Sequence, residues 1–125
     1  MHSVGKIDTE VFKCVSNNII TDEVIITDER IAHIKDNHPN DYEMYYQFLK
    51  ESIEQPDYII EANKSNSALI LKSFEEDDKQ FKMILRLVTA EDNPKYKNSI
   101  ITFMKINKAE WNRLLRNKKI LYKAE

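Results

Sequence analysis

The stretch that most constrains the fold is residues 56–89, which read PDYIIEANKSNSALILKSFEEDDKQFKMILRLVT. Apolar residues recur there with a two-residue period, which predicts β-strands over residues 58–62, 68–74 and 81–89. Residues 99–106 predict a fourth strand after a loop at 90–97. Because the connections inside residues 58–89 are short, we expect antiparallel pairing and a four-stranded meander.

Helix signals lie on both sides of this meander. Two helices are predicted before the meander, each from a cap residue followed by apolar side chains at helical spacing. The first runs from Thr27 or Asp28 to Pro39, and the second from Asn40 or Asp41 to about Glu54. A third helix begins after Asn107. We therefore predict an α+β domain in which two N-terminal helices pack on a four-stranded antiparallel sheet, with a C-terminal helix.

The remaining segments are short. Residues 1–19 are interpreted as an N-terminal arm or edge strand, with a short strand over 11–15, and residues 20–125 as a single domain. Residues 24–26 predict a brief strand, and residues 120–122 a closing strand or an extended tail.

Composition excludes several classes of function. The single glycine rules out Gly-rich phosphate loops, and the single cysteine rules out an internal disulfide and multi-cysteine zinc sites. No apolar run approaches the roughly 20 residues that a membrane span requires. We therefore expect a cytoplasmic protein with no metal, no cofactor and no membrane partner.

The net charge of −2 conceals an asymmetry between the two parts of the chain. Residues 95–125 contain nine basic and two acidic residues, whereas residues 1–94 contain ten basic and nineteen acidic ones. A basic C-terminal third can dock a polyanion locally, or it can be a solvated helix face.

Two histidines are candidates for chemistry. His33 and His38 are five positions apart, about 140° around a helix, so they do not form a metal-binding pair. His33 has polar neighbours, which suits a titrating base or a plain surface residue. His38 shares a face with Ile31 and Ile34, which suits a hydrogen-bonded residue at the helix end.

Three polar side chains stand among apolar neighbours on the predicted strands, namely Lys72, Arg86 and Thr102. We expect them on one face, with the other face packed on the helices. A buried charge is costly unless it is paired or faces a wet cleft, so these residues either line an active surface or form structural ion pairs.

This residue set suits phosphoryl transfer within RNA. A base takes the 2′-OH proton, an acid protonates the departing 5′ oxygen, and fixed cations stabilise the charged phosphorane. His33 is a candidate for the base or the acid, and Arg86 and Lys72 for phosphate binding. Thr102 or Ser99 is a candidate hydrogen-bond donor.

Several short motifs resemble the phage-encoded branch of the barnase–EndoU–colicin E5/D–RelE-like nuclease domains. They are VIITDERIAHI at 24–34, His38-Pro39, IEQPDYII at 53–60, NSIIT at 98–102 and KILYK at 119–123. The resemblance covers about residues 20–123. It implies two N-terminal helices followed by a four-stranded antiparallel sheet.

The resemblance also implies a function and a site. The function is metal-independent endoribonuclease activity of a phage, mobile-element or toxin type, leaving a 2′,3′-cyclic phosphate. The site residues it implies are His33, His38, Arg86, Lys72 and Thr102. We predict His33, His38, Arg86 and Thr102 as catalytic residues, and Lys72, Ser99, Lys105, Tyr122 and Lys123 as substrate-binding residues. The expected partners are RNA, with tRNA as one candidate, and an immunity or antitoxin protein. The alternatives are a non-catalytic interaction module with the same fold and a small-molecule-binding domain.

Overall fold

One sheet of seven strands organises the chain. The structure is a computed structural model that describes residues 2–37 and 41–125, without the side chains of 37 and 41–46. Its strands are β1 (His2–Lys6), β2 (Glu23–Ile26), β3 (Tyr58–Glu61), β4 (Ser67–Phe74), β5 (Lys79–Arg86), β6 (Asn98–Ile106) and β7 (Ile120–Lys123). Its helices are α1 (Thr9–Phe12), α2 (Asp28–Asn37), α3 (Asp41–Glu54) and α4 (Lys108–Asn117). The strand order is β1-β2-β6-β5-β4-β3-β7.

The prediction of a four-stranded antiparallel sheet under two N-terminal helices is wrong. The predicted meander is present as β3 to β6, but β1 and β2 extend the sheet beyond β6, and β7 extends it beyond β3. β2 runs parallel to β6, with Val24 opposite Asn98, so the sheet is mixed. The reason is that these partners are distant in the sequence, and local periodicity carries no information about which strand a short apolar run joins.

A third N-terminal helix, α1, replaces a predicted strand. Asp8 caps this short helix by accepting a hydrogen bond of 3.0 Å from the Glu10 amide, and Phe12 is fully buried. Because α1 has only one turn, it contains too few residues to show a helical period, and the alternation of residues 11–15 predicted a strand instead.

Two predicted helix starts are confirmed by their caps. The Thr27 hydroxyl accepts a hydrogen bond of 3.2 Å from the Arg30 amide, and the Asn107 side chain accepts one of 2.8 Å from the Glu110 amide. Side chains of this kind satisfy the amides that a first helical turn leaves unpaired. Within residues 2–37 and 41–125, no helix combines the length and apolarity needed to span a membrane.

The sheet has apolar packing on both faces. The side that we call the α1–α3 face carries the larger core, in which α1, α2 and α3 contribute Phe12, Ile34, Phe48, Leu49 and Ile53 against Val24, Ile26, Ile59, Ile70, Phe81, Met83, Leu85 and Phe103 of the strands. The other side, the α4 face, has a smaller core in which Leu114 of α4 packs with Ile60, Leu69, Leu71 and Ile106. On the α4 face, the side chains at the start of β6 and the end of β5 lie outside this smaller core.

Candidate active site

A row of mostly small polar side chains crosses five strands on the α4 face. The pairings Ser3–Ile25, Ile25–Ser99, Ser99–Arg86 and Arg86–Ser67 set these residues side by side. Residues directly opposite one another in neighbouring strands project to the same side of a sheet. Arg86 therefore lies between Ser99 and Ser67 in this row, and Ser3 lies further along it.

A β-bulge brings Thr102 to the same face. Ile84 pairs with Thr102 but Leu85 pairs with Ile100, so Ile101 is an extra residue on β6. Regular alternation would give Ile100 and Thr102 a common face, as we expected from the sequence. With the bulge, Ile100 is buried in the α1–α3 core and Thr102 stands one row above Arg86 on the α4 face.

Arg86 is held in place by the loop that follows β5. Its Nη2 donates to Asp92 Oδ1 at 3.1 Å, and 47% of the arginine side chain is exposed. Asp92 Oδ2 accepts hydrogen bonds from the Thr89 amide at 2.9 Å and the Thr89 hydroxyl at 3.4 Å. The hydrogen bond from the Thr89 amide is the main cause that lowers the pKa of Asp92. The positive charge of Arg86 lowers this pKa further, whereas desolvation raises it. The guanidinium is thus oriented yet still open to a ligand.

The Asp92→Asn substitution tests this arrangement through pH. Because the pKa of Asp92 is lower in the folded protein, its ionised carboxylate stabilises the fold above its unfolded pKa of about 3.9, and this is lost as the pH falls through the folded pKa. We expect the variant to be less stable than the wild type near neutral pH and the gap to narrow below about pH 4. Thermal unfolding of both proteins, from neutral pH to below about pH 4, measures this difference in stability. A gap that is unchanged at acid pH would show that the Asp92 charge contributes nothing to stability.

Asn98 fixes the start of β6 beneath the row and is a residue that the sequence analysis missed. It is fully buried, its Oδ1 accepts a hydrogen bond of 2.8 Å from the Val88 amide, and its Nδ2 donates to the carbonyls of Thr21 at 2.8 Å and Glu23 at 3.0 Å. Its side chain therefore ties together the loop after β5, the segment before β2 and β2 itself. The only sequence signal is an amide residue at the first position of an apolar strand.

Lys72 lies on the α1–α3 face, away from Arg86. It pairs with Phe81, and its Nζ donates to the Gln55 carbonyl at 2.6 Å and lies 3.4 Å from Asp57 Oδ1. Only 12% of the lysine side chain is exposed. Lys72 thus forms a structural ion pair, which was the alternative to a place on the active surface. It does not share a face with Arg86 and Thr102.

One of the two candidate histidines, His33, lies outside the row. His33 is exposed on α2, whose Ile34 packs into the α1–α3 core, so His33 belongs to the helical layer. His38 lies outside the described residues. Residues 2–37 and 41–125 contain no cluster of three or more His, Cys, Asp or Glu side chains that could hold a metal ion.

Three further candidate residues are dispersed. Lys105 is exposed on β6 opposite Phe81, and Tyr122 is half-buried against the α1–α3 core. Lys123 is exposed on β7 opposite Tyr58. Of the predicted substrate-binding residues, Ser99 alone adjoins Arg86 in the part of the chain that the structure describes.

Comparison with known proteins gives one match. A family model described as phage-Barnase-EndoU-ColicinE5/D-RelE like nuclease2 matches residues 1–123, which include every strand of the sheet. The match confirms the resemblance seen in the sequence and extends it to β1 and α1. No curated protein and no solved structure matches the chain.

Proposed function

We propose that this chain, which belongs to the phage-Barnase-EndoU-ColicinE5/D-RelE-like nuclease 2 family, is an endoribonuclease that binds the scissile phosphate of RNA at Arg86. The observation that supports this most is the position of Arg86 itself. Its guanidinium is exposed and is oriented by Asp92. Arg86 pairs with Ser67 and Ser99 on the neighbouring strands, and Thr102 lies one row away on the same face. A fixed cation among hydrogen-bond donors is what a charged phosphorane requires.

The proposed reaction needs no group beyond the RNA and the protein. The 2′-hydroxyl gives up its proton to a base as its oxygen attacks the adjacent phosphorus. The bond between phosphorus and the 5′ oxygen breaks, and an acid protonates that oxygen, so a 2′,3′-cyclic phosphate and a 5′-hydroxyl result. Negative charge builds up on the phosphoryl oxygens, and Arg86 neutralises it through its planar fork of N–H donors. Ser99 and Thr102 donate further hydrogen bonds to the same oxygens.

Total RNA incubated with the purified protein in excess EDTA tests this function. We expect cleavage to continue in EDTA, products to carry 2′,3′-cyclic phosphate ends, and a substrate with a single 2′-deoxy substitution at the cleaved position to resist. Intact RNA, or products with 3′-hydroxyl ends, would contradict the proposed reaction.

His33→Ala tests where the acid–base group lies. Since His33 belongs to the helical layer and Arg86 to the opposite face, we expect the variant to cleave RNA at a rate within about tenfold of the wild type. A general base or acid contributes about 100-fold or more, so a loss of that size would put His33 in the mechanism. Circular dichroism of the variant controls for folding.

One observation favours the alternative of a non-catalytic interaction module. Lys72 and Arg86 both have carboxylate partners, at 3.4 Å and 3.1 Å, as structural ion pairs do. The RNA cleavage assay distinguishes the two functions, since an interaction module leaves RNA intact at high protein concentration.

For the nuclease we further propose that it acts in the cytoplasm on RNA, with tRNA as one candidate, and that an immunity or antitoxin protein restrains it.

A further inference from the structure

A groove of about 580 Å³ opens on the α4 face, between α4 and strands β3 to β5. The rings of Tyr58 and Trp111 meet edge to face on its wall, with centroids 5.9 Å apart. Gln80 and Ser73 line it from the strands, their side chains 3.3 Å apart. Gln80 and Arg86 stand near opposite ends of β5, about 20 Å apart at roughly 3.3 Å per residue, so the groove is distinct from the Arg86 row.

Two of the charges that line the groove are already balanced. Asp57 accepts a hydrogen bond of 2.7 Å from the Ser73 amide and lies 3.4 Å from the Lys72 ammonium. Lys108, the one cation among the described residues that line the groove, lies 3.8 Å from Asp78. Neither side chain therefore determines the charge that a ligand would meet.

The carboxylates of Glu75 and Glu125 are not paired with a positive charge in the described part of the chain. Both line the groove, and neither forms a hydrogen bond or ion pair through its side chain within residues 2–37 and 41–125. The exposed turn at Glu75–Asp78 adds Glu76 and Asp77 beside it. The first turn of α4 also borders the groove, but its dipole supplies only about half a positive charge. The groove is therefore electronegative.

Trp111 lines the negative groove and is half-buried, so its ring favours an organic cation such as an ammonium or guanidinium group. An indole face attracts an ammonium or guanidinium group within about 6 Å, more strongly than the ring of phenylalanine or tyrosine does. The phosphates of RNA, in contrast, would be repelled by the same carboxylates. A long basic side chain can place its apolar stem against the ring and its charge beside Glu75 and Glu125.

We propose that this groove binds a basic segment of a protein partner, with one Lys or Arg side chain lying over Trp111 and pairing with Glu75 and Glu125. The proposal goes beyond nuclease activity and does not depend on it. The partner would engage the α4 face at a distance from Arg86.

Trp111 provides the measurement, because it is the only tryptophan in the chain. Hexaarginine is the probe, and an oligouridylate of similar length is the comparison. We expect a saturable change in tryptophan fluorescence with hexaarginine and none with the oligonucleotide at equal ionic strength. A change with the oligonucleotide and none with the peptide would assign the groove to RNA and overturn the proposal.

A pair of neighbouring variants separates the groove from general electrostatic attraction. Glu75→Gln and Glu76→Gln make the same change in charge on the same turn, but only Glu75 lines the groove. We expect Glu75→Gln to weaken hexaarginine binding by about tenfold or more, as the loss of a charged hydrogen-bond acceptor does, and Glu76→Gln by less than about twofold. Equal weakening in both variants, or no binding to the wild type, would overturn the proposal.

Discussion

Arg86→Ala is expected to lower the rate of RNA cleavage by about 100-fold to 1,000-fold, which is the usual cost of removing one preorganised donor from a developing charge. Arg86 has the largest expected effect because it is the cation that adjoins the hydroxyls of Ser67 and Ser99. The fold should tolerate the change, since the ion pair with Asp92 lies at the surface, with 47% of the arginine side chain exposed, and such pairs contribute about 1 kcal/mol or less. Initial rates on a labelled RNA, with unfolding curves run in parallel, measure both effects.

Two matched variants sharpen the test of Arg86. Arg86→Lys keeps the charge but loses the fork, so we expect an intermediate rate. Arg116→Ala removes an exposed arginine from α4 that forms no ion pair within the described part of the chain, and it should change the rate by no more than about twofold. If Arg86→Ala cleaves as fast as the wild type, the phosphate site lies elsewhere.

Asn98→Ala is expected to destabilise the protein by about 3 to 5 kcal/mol. The substitution removes three hydrogen bonds at a fully buried position, one from the buried Val88 amide and two to the partly buried carbonyls of Thr21 and Glu23. Each unsatisfied buried group costs about 1 to 3 kcal/mol. Since small domains are stable by only about 5 to 15 kcal/mol, the variant should be close to unfolding at physiological temperature.

Urea unfolding of Asn98→Ala beside Asn63→Ala measures this loss. Asn63 is exposed and accepts one hydrogen bond of 3.0 Å from Lys118, so its substitution should cost less than about 0.5 kcal/mol. A cost below about 1 kcal/mol for Asn98→Ala would mean that water replaces the lost hydrogen bonds.

The elements with local signals were predictable from the sequence. Alternation predicts β3 to β6, and capping predicts where α2 and α4 begin, because in both cases the cause lies within a few residues. The strands β1 and β2 owe their place to partners elsewhere in the chain, and their pairing was not predictable. The one-turn helix α1 depends on burying Phe12 in a core that other segments supply.

The candidate site was only partly predictable for the same reason. Arg86 and Thr102 do lie on one face, but the bulge at Ile101 separates Thr102 from Ile100, and a bulge leaves no mark in the alternation. Lys72 falls on the other face because Ile70 pairs with Met83 and Leu69 with Ile84. A shift of one residue in register exchanges the two faces of a strand, and sequence alone does not fix that register.

The parallel pairing of β2 with β6 has a consequence for the order of events during synthesis. Thr21 and Asn98, which hydrogen-bond in the folded protein, are 77 positions apart, so the N-terminal strands leave the ribosome long before their partner. An isolated pair of antiparallel strands, such as β1 and β2, is marginal in water, and long-range parallel pairing is slow to form. We expect the nascent chain to complete its sheet only after β6 and β7 have left the ribosome. A product of translation interrupted before β6 would then lack the assembled Arg86 row, and under the proposed function it would not cleave RNA.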